Sequence, residues 1–198
     1  MPRVLLRKPT TADRTEFLRL TRSSRRYHHP WSTAPTTARA FAHSLGRARR
    51  ENCEARLVCR RPDGAIVGVF NLNEIVRGRL RSAYLGYYGF AEHAQQGYMT
   101  EGLRLMLRLA FVTLRLHRVE ANIQPGNRRS IALARRAGFR REGFSPRYLK
   151  ILGRWRDHQR WALTVEDWRA SLPLPRSGAS SRRRGRSSGR PRGPRSRG

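Results

Sequence analysis

The chain has 198 residues and is strongly basic, with 43 Lys and Arg against 13 Asp and Glu and a formal net charge of +30. Hydrophobic residues make up 38% of it, which is enough for a folded core and excludes disorder over the whole length. No uncharged apolar stretch approaches the roughly 18 residues of a membrane span, and the N-terminal segment lacks the apolar region of a secretory signal. We therefore expect one folded domain in the cytoplasm, with no membrane partner.

The C-terminal segment differs in composition from the rest of the chain. Residues 173–198 contain nine Arg, six Ser, five Gly and four Pro, and Leu174 is their one large apolar residue. Such a segment buries too little apolar surface to offset the entropy of ordering. We expect a disordered basic tail after a folded domain over residues 1–172.

The positive charge points to an anionic partner without identifying it. The tail carries +9 and residues 1–172 carry +21, so RNA or the ribosome is a candidate contact for the tail. However, 41 of the 43 basic residues are Arg. GC-rich coding produces the same bias, so the charge alone does not establish nucleic-acid binding.

Neither the cysteines nor the histidines form a metal-binding pattern. Cys53 and Cys59 are six positions apart, and no close histidine pair completes a zinc site with them. The adjacent side chains of His28 and His29 would point apart and chelate poorly. We expect two reduced thiols and no bound metal.

The predicted secondary structure alternates helices with short strands. Thr10 and Asp13 form a capping-box pattern, and Pro62-Asp63-Gly64 is a typical turn. In chain order the predicted elements are a strand (4–6), helices (11–24, 37–50), strands (56–59, 65–70, 83–88), a helix (99–114), a strand (118–124), a helix (127–137) and strands (144–151, 158–163). This order predicts a mixed α/β sheet whose three consecutive strands form an antiparallel meander.

A loop containing Gly97 joins the strand 83–88 to the long helix 99–114. The first N–H groups of a helix lack partners inside the helix, and the helix dipole adds partial positive charge there. A glycine lets a phosphate approach the backbone closely. The loop is either an anion-binding site or an ordinary turn, and its own sequence does not separate the two.

Several motifs elsewhere in the chain favour the anion-binding site over an ordinary turn. The loop motif Q-Q-G-Y-M-T-E-G-L (95–103) precedes E-A-N-I-Q-P-G-N-R-R-S-I-A-L-A-R-R-A-G-F (120–139). With F-N-L-N-E-I-V-R-G (70–78), Y-L-G-Y (84–87) and Y-L-K-I-L-G-R-W-R-D-H (148–158), these motifs resemble the GNAT acetyltransferase superfamily, and more closely its RimJ-like ribosomal-protein-alanine N-acetyltransferases. The resemblance covers about residues 3–168. It implies the GNAT fold, a mixed and mostly antiparallel central sheet flanked by helices.

The resemblance also implies acetyl-CoA as co-substrate and no metal. The family loop is written Q/R-x-x-G-x-G/A, and Ala94 departs from its first position. Because the family binds pyrophosphate mainly through backbone amides, we expect binding to survive this change. The pantetheine arm is expected to pair with the strand before the loop. The implied cofactor-binding residues are Tyr87, Gly89, Phe90, Gln95, Gln96, Gly97, Tyr98, Met99, Thr100 and Asn127.

Acetyl transfer needs a neutral amine, an acceptor for its proton and a donor for the leaving thiolate. The resemblance implies that Ser130 is the donor. Asn127, three residues earlier, faces pantetheine in the family and is also a natural helix N-cap. Glu74 is the best candidate base, on the central strand facing the expected amine site. Since Leu149 replaces a Glu that some relatives carry, a chain of waters is the alternative.

His29 and Trp31 are the expected acceptor-binding residues, because their region lines the acceptor pocket in the family. Trp155, Asp157 and His158 are expected to be mainly structural, with Asp157 a weaker candidate for an acceptor contact. The predicted activity is transfer of acetyl from acetyl-CoA to the N-terminal alanine amine of a ribosomal protein. Two alternatives stay open: acetylation of a small-molecule amine or antibiotic, and a non-catalytic ribosome- or RNA-binding protein on a GNAT scaffold.

Overall fold

The computed structural model describes residues 2–172, so the predicted basic tail, residues 173–198, lies outside the described residues. The described chain forms seven strands and six α-helices, with short 3₁₀ turns at Thr11–Asp13 and Ala91–His93 and a π-helical segment, Leu109–Thr113, that continues the long helix after Arg108. The strands are β1 (Val4–Arg7), β2 (Glu54–Arg60), β3 (Ile66–Val76), β4 (Ser82–Gly89), β5 (Arg118–Ile123), β6 (Arg140–Ile151) and β7 (Arg154–Thr164). The helices are α1 (Arg14–Ser23), α2 (Arg25–His28), α3 (Ala38–Ala48), α4 (Tyr98–Arg108), α5 (Arg128–Arg136) and α6 (Val165–Ala170).

All seven strands lie in one sheet, in the order β1-β2-β3-β4-β5-β7-β6. Every neighbouring pair is antiparallel except β4 and β5, which are parallel. The predicted mixed, mostly antiparallel sheet flanked by helices is confirmed, as is the meander formed by β2, β3 and β4.

The parallel pair separates after a short ladder. The pairing of β4 with β5 begins at Ser82 and Arg118 and ends at Tyr84 and Glu120. Beyond this point β4 runs to Gly89 beside β3, and β5 continues beside β7. Within the described residues, the second half of β4 therefore has a strand on one side only. A wedge-shaped gap opens on its other side.

The two faces of the sheet carry different cores. On one face α4 and α5 pack on the strands, and the predicted apolar stripe of the long helix is buried there as Leu103, Met106, Leu107, Ala110 and Phe111. On the other face α1 and α3 form a second core with β2, β3 and the end of β4. This second core contains no residue of β5, β6 or β7. That half of the face therefore remains open between the helices and the β6–β7 hairpin.

At most predicted helix ends, the structure contains a capping residue. The capping box of Thr10 and Asp13 is formed, the Thr37 hydroxyl caps α3, and Gly138 follows α5 with a φ of 91°. Helix α6 was not predicted, although Thr164 accepts the N–H of Asp167 as an N-cap. At six residues, this helix is too short for its periodicity to be visible in the sequence.

No helix within residues 2–172 combines the length and apolar character needed to cross a bilayer. In the same range, no three or more His, Cys, Asp and Glu side chains are grouped as ligands for a metal ion. Cys53 and Cys59 are both free thiols, and Cys59 is buried.

Candidate active site

The loop between β4 and α4 ends at a glycine that its backbone requires. Gly97 has φ 82° and ψ −8° and is the N-cap of α4. A side chain at this φ is strained, whereas glycine adopts it freely. Among the described residues, no acceptor pairs with the backbone N–H groups of residues 95–99, and the N–H of Thr100 bonds to the Gly97 carbonyl at 3.0 Å. Free amides at the positive end of an 11-residue helix fit a phosphate-bearing ligand.

Arg3 holds this loop in place, a role that the sequence analysis did not predict. Its Nε donates to Glu101 Oε1 at 2.7 Å, and its backbone N–H donates to Oε2 of the same carboxylate at 2.7 Å. The guanidinium also donates to the Gln96 carbonyl at 2.9 Å and lies 4.8 Å from the centre of the Tyr98 ring. These contacts tie the loop to the start of β1.

The side chain of Met99 leaves the loop and enters the core. A Cβ atom added at Gly68 would lie 2.3 Å from Met99 Sδ, and one added at Gly89 would lie 3.1 Å from Met99 Cγ. The two glycines therefore make room for this side chain. Only the backbone of Met99 remains for a ligand at the loop.

Tyr87, Gly89 and Phe90 were predicted to bind the cofactor. Two of them face the gap beside β4, and the third lies in the core. The N–H of Phe90 bonds to the Val67 carbonyl on β3 at 3.1 Å. Because an antiparallel ladder alternates, Tyr87 and Gly89 turn their backbone groups to the opposite edge, toward the gap. The Phe90 side chain is only 1% exposed and packs beside Phe17. The structure brings Tyr87 and Gly89 to the gap but not Phe90.

His28, the neighbour of the predicted His29, makes the contact with β4. Its Nε2 lies 2.9 Å from the Gly89 carbonyl oxygen. Burial lowers the pKa of His28, so the ring is neutral at pH 7 and its Nε2–H donates this bond. The side chain of His29 is exposed.

Two hydroxyl groups meet where the first turn of α5 approaches β4. Tyr87 Oη and Ser130 Oγ lie 2.7 Å apart, and Tyr87 also donates to the Ser130 carbonyl at 3.1 Å. Burial raises the pKa of Tyr87 to about 12, so its phenol is protonated at neutral pH. Asn127 Oδ1 accepts the Ser130 N–H at 3.2 Å, which is the predicted N-cap. The structure thus brings Tyr87, Asn127 and Ser130 together.

A cleft of about 270 Å³ opens between the segment after α2 and the β6–β7 hairpin. Its lining residues are Trp31, Gln124, Pro125, Gly126, Trp155, Arg156 and Asp157. Gln124 Nε2 donates to the Trp31 carbonyl at 3.2 Å, and a Cβ atom on Gly126 would meet the Trp31 ring at 2.9 Å. Trp31 is thereby held against the segment that leads into α5. The Trp155 side chain is 60% exposed, which does not fit the mainly structural role expected from the sequence.

Glu74 lies away from the hydroxyl pair. Its Oε2 accepts a hydrogen bond from Asn52 Nδ2 at 3.2 Å, and the side chain is exposed. Tyr87 pairs with Phe70 on β3, four positions before Glu74, and the pairing of β3 with β4 shifts register between Asn73 and Val76. The structure does not bring Glu74 to Tyr87 and Ser130.

A family model described as an acetyltransferase (GNAT) domain matches residues 3–140. The chain belongs to the GNAT acetyltransferase family. The loop at Gly97, the gap beside β4 and the start of α5 all lie within the matched range.

Individual GNAT relatives are similar to parts of this chain. The ribosomal protein uS5-alanine N-acetyltransferase of Escherichia coli (strain K12) is 43% identical over 103 residues, which is 52% of this chain and 53% of that protein. The probable N-acetyltransferase YjcK of Bacillus subtilis is 40% identical over 105 residues, or 53% of this chain and 58% of that protein. The chain thus spans about half the length of these relatives. The structure of Mycobacterium smegmatis RimJ in complex with CoA-disulfide has 29% identity and a TM-score of 0.76, over 83% of each chain.

Proposed function

We propose that this protein transfers the acetyl group of acetyl-CoA to the N-terminal alanine amine of a ribosomal protein. The observation that carries the proposal is the Tyr87–Ser130 hydroxyl pair at the free edge of β4, the strand that precedes the glycine loop. Membership in the GNAT family supports acetyl transfer. The similarity to the uS5-alanine N-acetyltransferase of Escherichia coli supports the acceptor.

The residues around the gap fit acetyl-CoA, which supplies the thioester when it is bound. The free N–H groups of residues 95–99 would bind its pyrophosphate. The backbone groups of Tyr87 and the N–H of Gly89 would pair with the pantetheine arm, as an added strand pairs with a sheet edge, while the Gly89 carbonyl is held by His28. Asn127 would face the same arm while it caps α5. The residues that would bind the pyrophosphate through free amides are Gln95, Gln96, Gly97, Tyr98 and Met99, whereas the N–H of Thr100, also predicted to bind the cofactor, is bonded to the Gly97 carbonyl.

Ser130 would donate a proton to the CoA thiolate as the carbon–sulfur bond breaks. Tyr87, whose raised pKa keeps the phenol protonated, would pass its proton to Ser130 Oγ, and a proton from water at the open sheet face would restore the phenol. The acceptor amine forms the new carbon–nitrogen bond and releases one proton. The distance of Glu74 from the hydroxyl pair favours water on the open sheet face as the acceptor of that proton.

Labelled acetyl-CoA tests the proposal directly. Incubation of the protein with ribosomal proteins should place the label on the N-terminal amine of one of them, and the Ser130→Ala variant should label it far more slowly. Label on a small amine alone would favour the small-molecule alternative. Binding to RNA without any acetylation would favour the non-catalytic alternative.

The basic segment, residues 173–198, has a separate proposed role. Its nine arginines would bind RNA at or near the ribosome and bring the enzyme to its acceptor. Support comes from composition alone, so this role is tested independently of catalysis.

A further inference from the structure

The cleft beside Trp31 contains an arginine without a partner. Arg156 Nε is buried and makes no hydrogen bond to any described residue. Within residues 2–172, no carboxylate oxygen lies within 4.0 Å of this guanidinium, whereas Arg118 and Arg140 on neighbouring strands are both ion-paired. A buried guanidinium nitrogen that lacks an acceptor is costly. An acceptor supplied by a ligand would remove that cost.

The one acid in the cleft does not neutralise Arg156. Asp157 Oδ1 accepts the backbone N–H of Arg147 at 2.8 Å, which holds together the irregular part of the β6–β7 hairpin. Among the described residues, neither oxygen of Asp157 lies within 4.0 Å of the Arg156 guanidinium, so the two groups form no ion pair. The cleft therefore presents an uncompensated positive charge, in a domain whose net charge is already +21.

The walls and size of the cleft fit a short peptide. Trp31 and the 60% exposed Trp155 form two aromatic surfaces, and Trp and Arg are the residues that dominate binding energy at protein interfaces. A volume of about 270 Å³ is slightly below that of clefts that hold drug-sized ligands, roughly 300–1,000 Å³. Gly126, one of the lining residues, directly precedes the Asn127 cap of the turn that carries Ser130.

We propose that this cleft binds the first residues of the acceptor polypeptide and that Arg156 selects acceptors with an Asp or Glu side chain among them. The planar guanidinium accepts a carboxylate in a two-bond arrangement and would repel a lysine or a polyamine. This specificity rests on the proposed function, because the acceptor amine must reach the gap beside Ser130.

Peptides that differ in one residue test the selection. Three peptides begin with alanine and carry glutamate, glutamine or lysine at one of the next three positions. For the wild-type protein we expect kcat/KM about tenfold higher for the glutamate peptide than for the glutamine peptide, and lower still for the lysine peptide. Equal values for the glutamate and glutamine peptides would overturn the proposal.

Two arginine variants show whether the preference belongs to Arg156. Arg156→Gln should remove the preference for glutamate and leave the affinity for CoA unchanged. Arg154→Gln removes the same charge from the same strand but outside the cleft lining, and should keep the preference. Preference retained in Arg156→Gln, or lost equally in both variants, contradicts a selective role for Arg156.

Calorimetry with the same peptides separates this inference from the proposed function. If no peptide is acetylated but the glutamate peptide still binds tenfold more tightly in an Arg156-dependent way, the cleft assignment stands and the reaction assignment fails. If peptides are acetylated without regard to charge, the reaction stands and the selection by Arg156 fails.

Discussion

Tyr87 Oη lies 2.7 Å from Ser130 Oγ, and this contact joins the free edge of β4 to the first turn of α5. Neither residue has another hydroxyl partner among the described residues. The pair stands where β4 has already separated from β5, so the two hydroxyls border a gap rather than a closed sheet.

Removal of the Ser130 hydroxyl should slow the chemical step. If Ser130 protonates the leaving thiolate, Ser130→Ala should lower kcat about 10- to 1,000-fold and leave the KM for acetyl-CoA nearly unchanged. Tyr87→Phe should lower kcat by a smaller factor, since water can replace the phenol as the source of the second proton. Steady-state kinetics measure both effects. Normal turnover with a lowered melting temperature would show that Ser130 only stabilises the start of the helix.

The loop glycine should be essential for acetyl-CoA binding. Gly97→Glu places a strained and anionic side chain where the free amides would meet a pyrophosphate, so calorimetry should detect no binding. Gly78→Glu is the matched control, because Gly78 has a similar φ of 66° with nothing within 4 Å of an added Cβ, and lies in the turn before β4. Equal affinity in a folded Gly97→Glu protein would contradict the loop assignment.

Glu74 should be dispensable for turnover. Its carboxylate accepts a hydrogen bond from Asn52, and its position on β3 is four residues beyond Phe70, the partner of Tyr87. Glu74→Gln should therefore change kcat less than twofold, and the basic limb of the pH–rate profile should stay in place. A large fall in kcat together with a shifted pH profile would reinstate Glu74 as the base predicted from the sequence.

Two buried histidines should make the fold sensitive to acid. Burial lowers the pKa of His28 and of His158 from the ordinary value of 6.5. As the pH falls below 6.5, the unfolded chain takes up protons that the folded protein excludes, so the free energy of unfolding decreases until the lowered pKa values are passed. Above this pH range both histidines are neutral in the folded and the unfolded state, so the free energy of unfolding has its full value.

The melting temperature should accordingly fall between about pH 7 and pH 5. His28→Gln keeps an N–H donor for the Gly89 carbonyl and removes the titrating ring, so its melting temperature should depend less on pH. His29→Gln, at an exposed position, should behave like the wild type. An identical pH dependence in His28→Gln would show that the titration of His28 contributes nothing.

Deletion of residues 173–198 should separate targeting from catalysis. The deleted segment carries nine positive charges and one large apolar residue, so the melting temperature and the turnover of a short peptide should stay nearly unchanged. Binding to ribosomal RNA should weaken, and its dependence on salt should become less steep because phosphate contacts are lost. An unchanged salt dependence would indicate that the arginines reflect coding bias alone.

Local patterns in the sequence are enough to predict most of the elements and the family. Local signals such as the Thr10–Asp13 capping box, the apolar stripe of the long helix and Gly138 each depend on neighbours a few residues apart, so they can be recognised without a fold. The Gly97 loop followed by the Asn127–Ser130 helix start is a pattern of the same kind. These short-range patterns were sufficient to predict the mixed sheet and the order of its elements.

Contacts between residues far apart in the chain determine which of the predicted residues lie together in the fold. Arg3 and Gln96 are 93 positions apart, and His28 and Gly89 are 61 apart, so no local pattern could reveal that these contacts shape the loop and the end of β4. The distance of Glu74 from the hydroxyl pair follows from strand register, which sequence periodicity does not specify across a sheet. Long-range pairing placed Tyr87 beside Ser130, and it is this placement that turns two separate motifs into one candidate site.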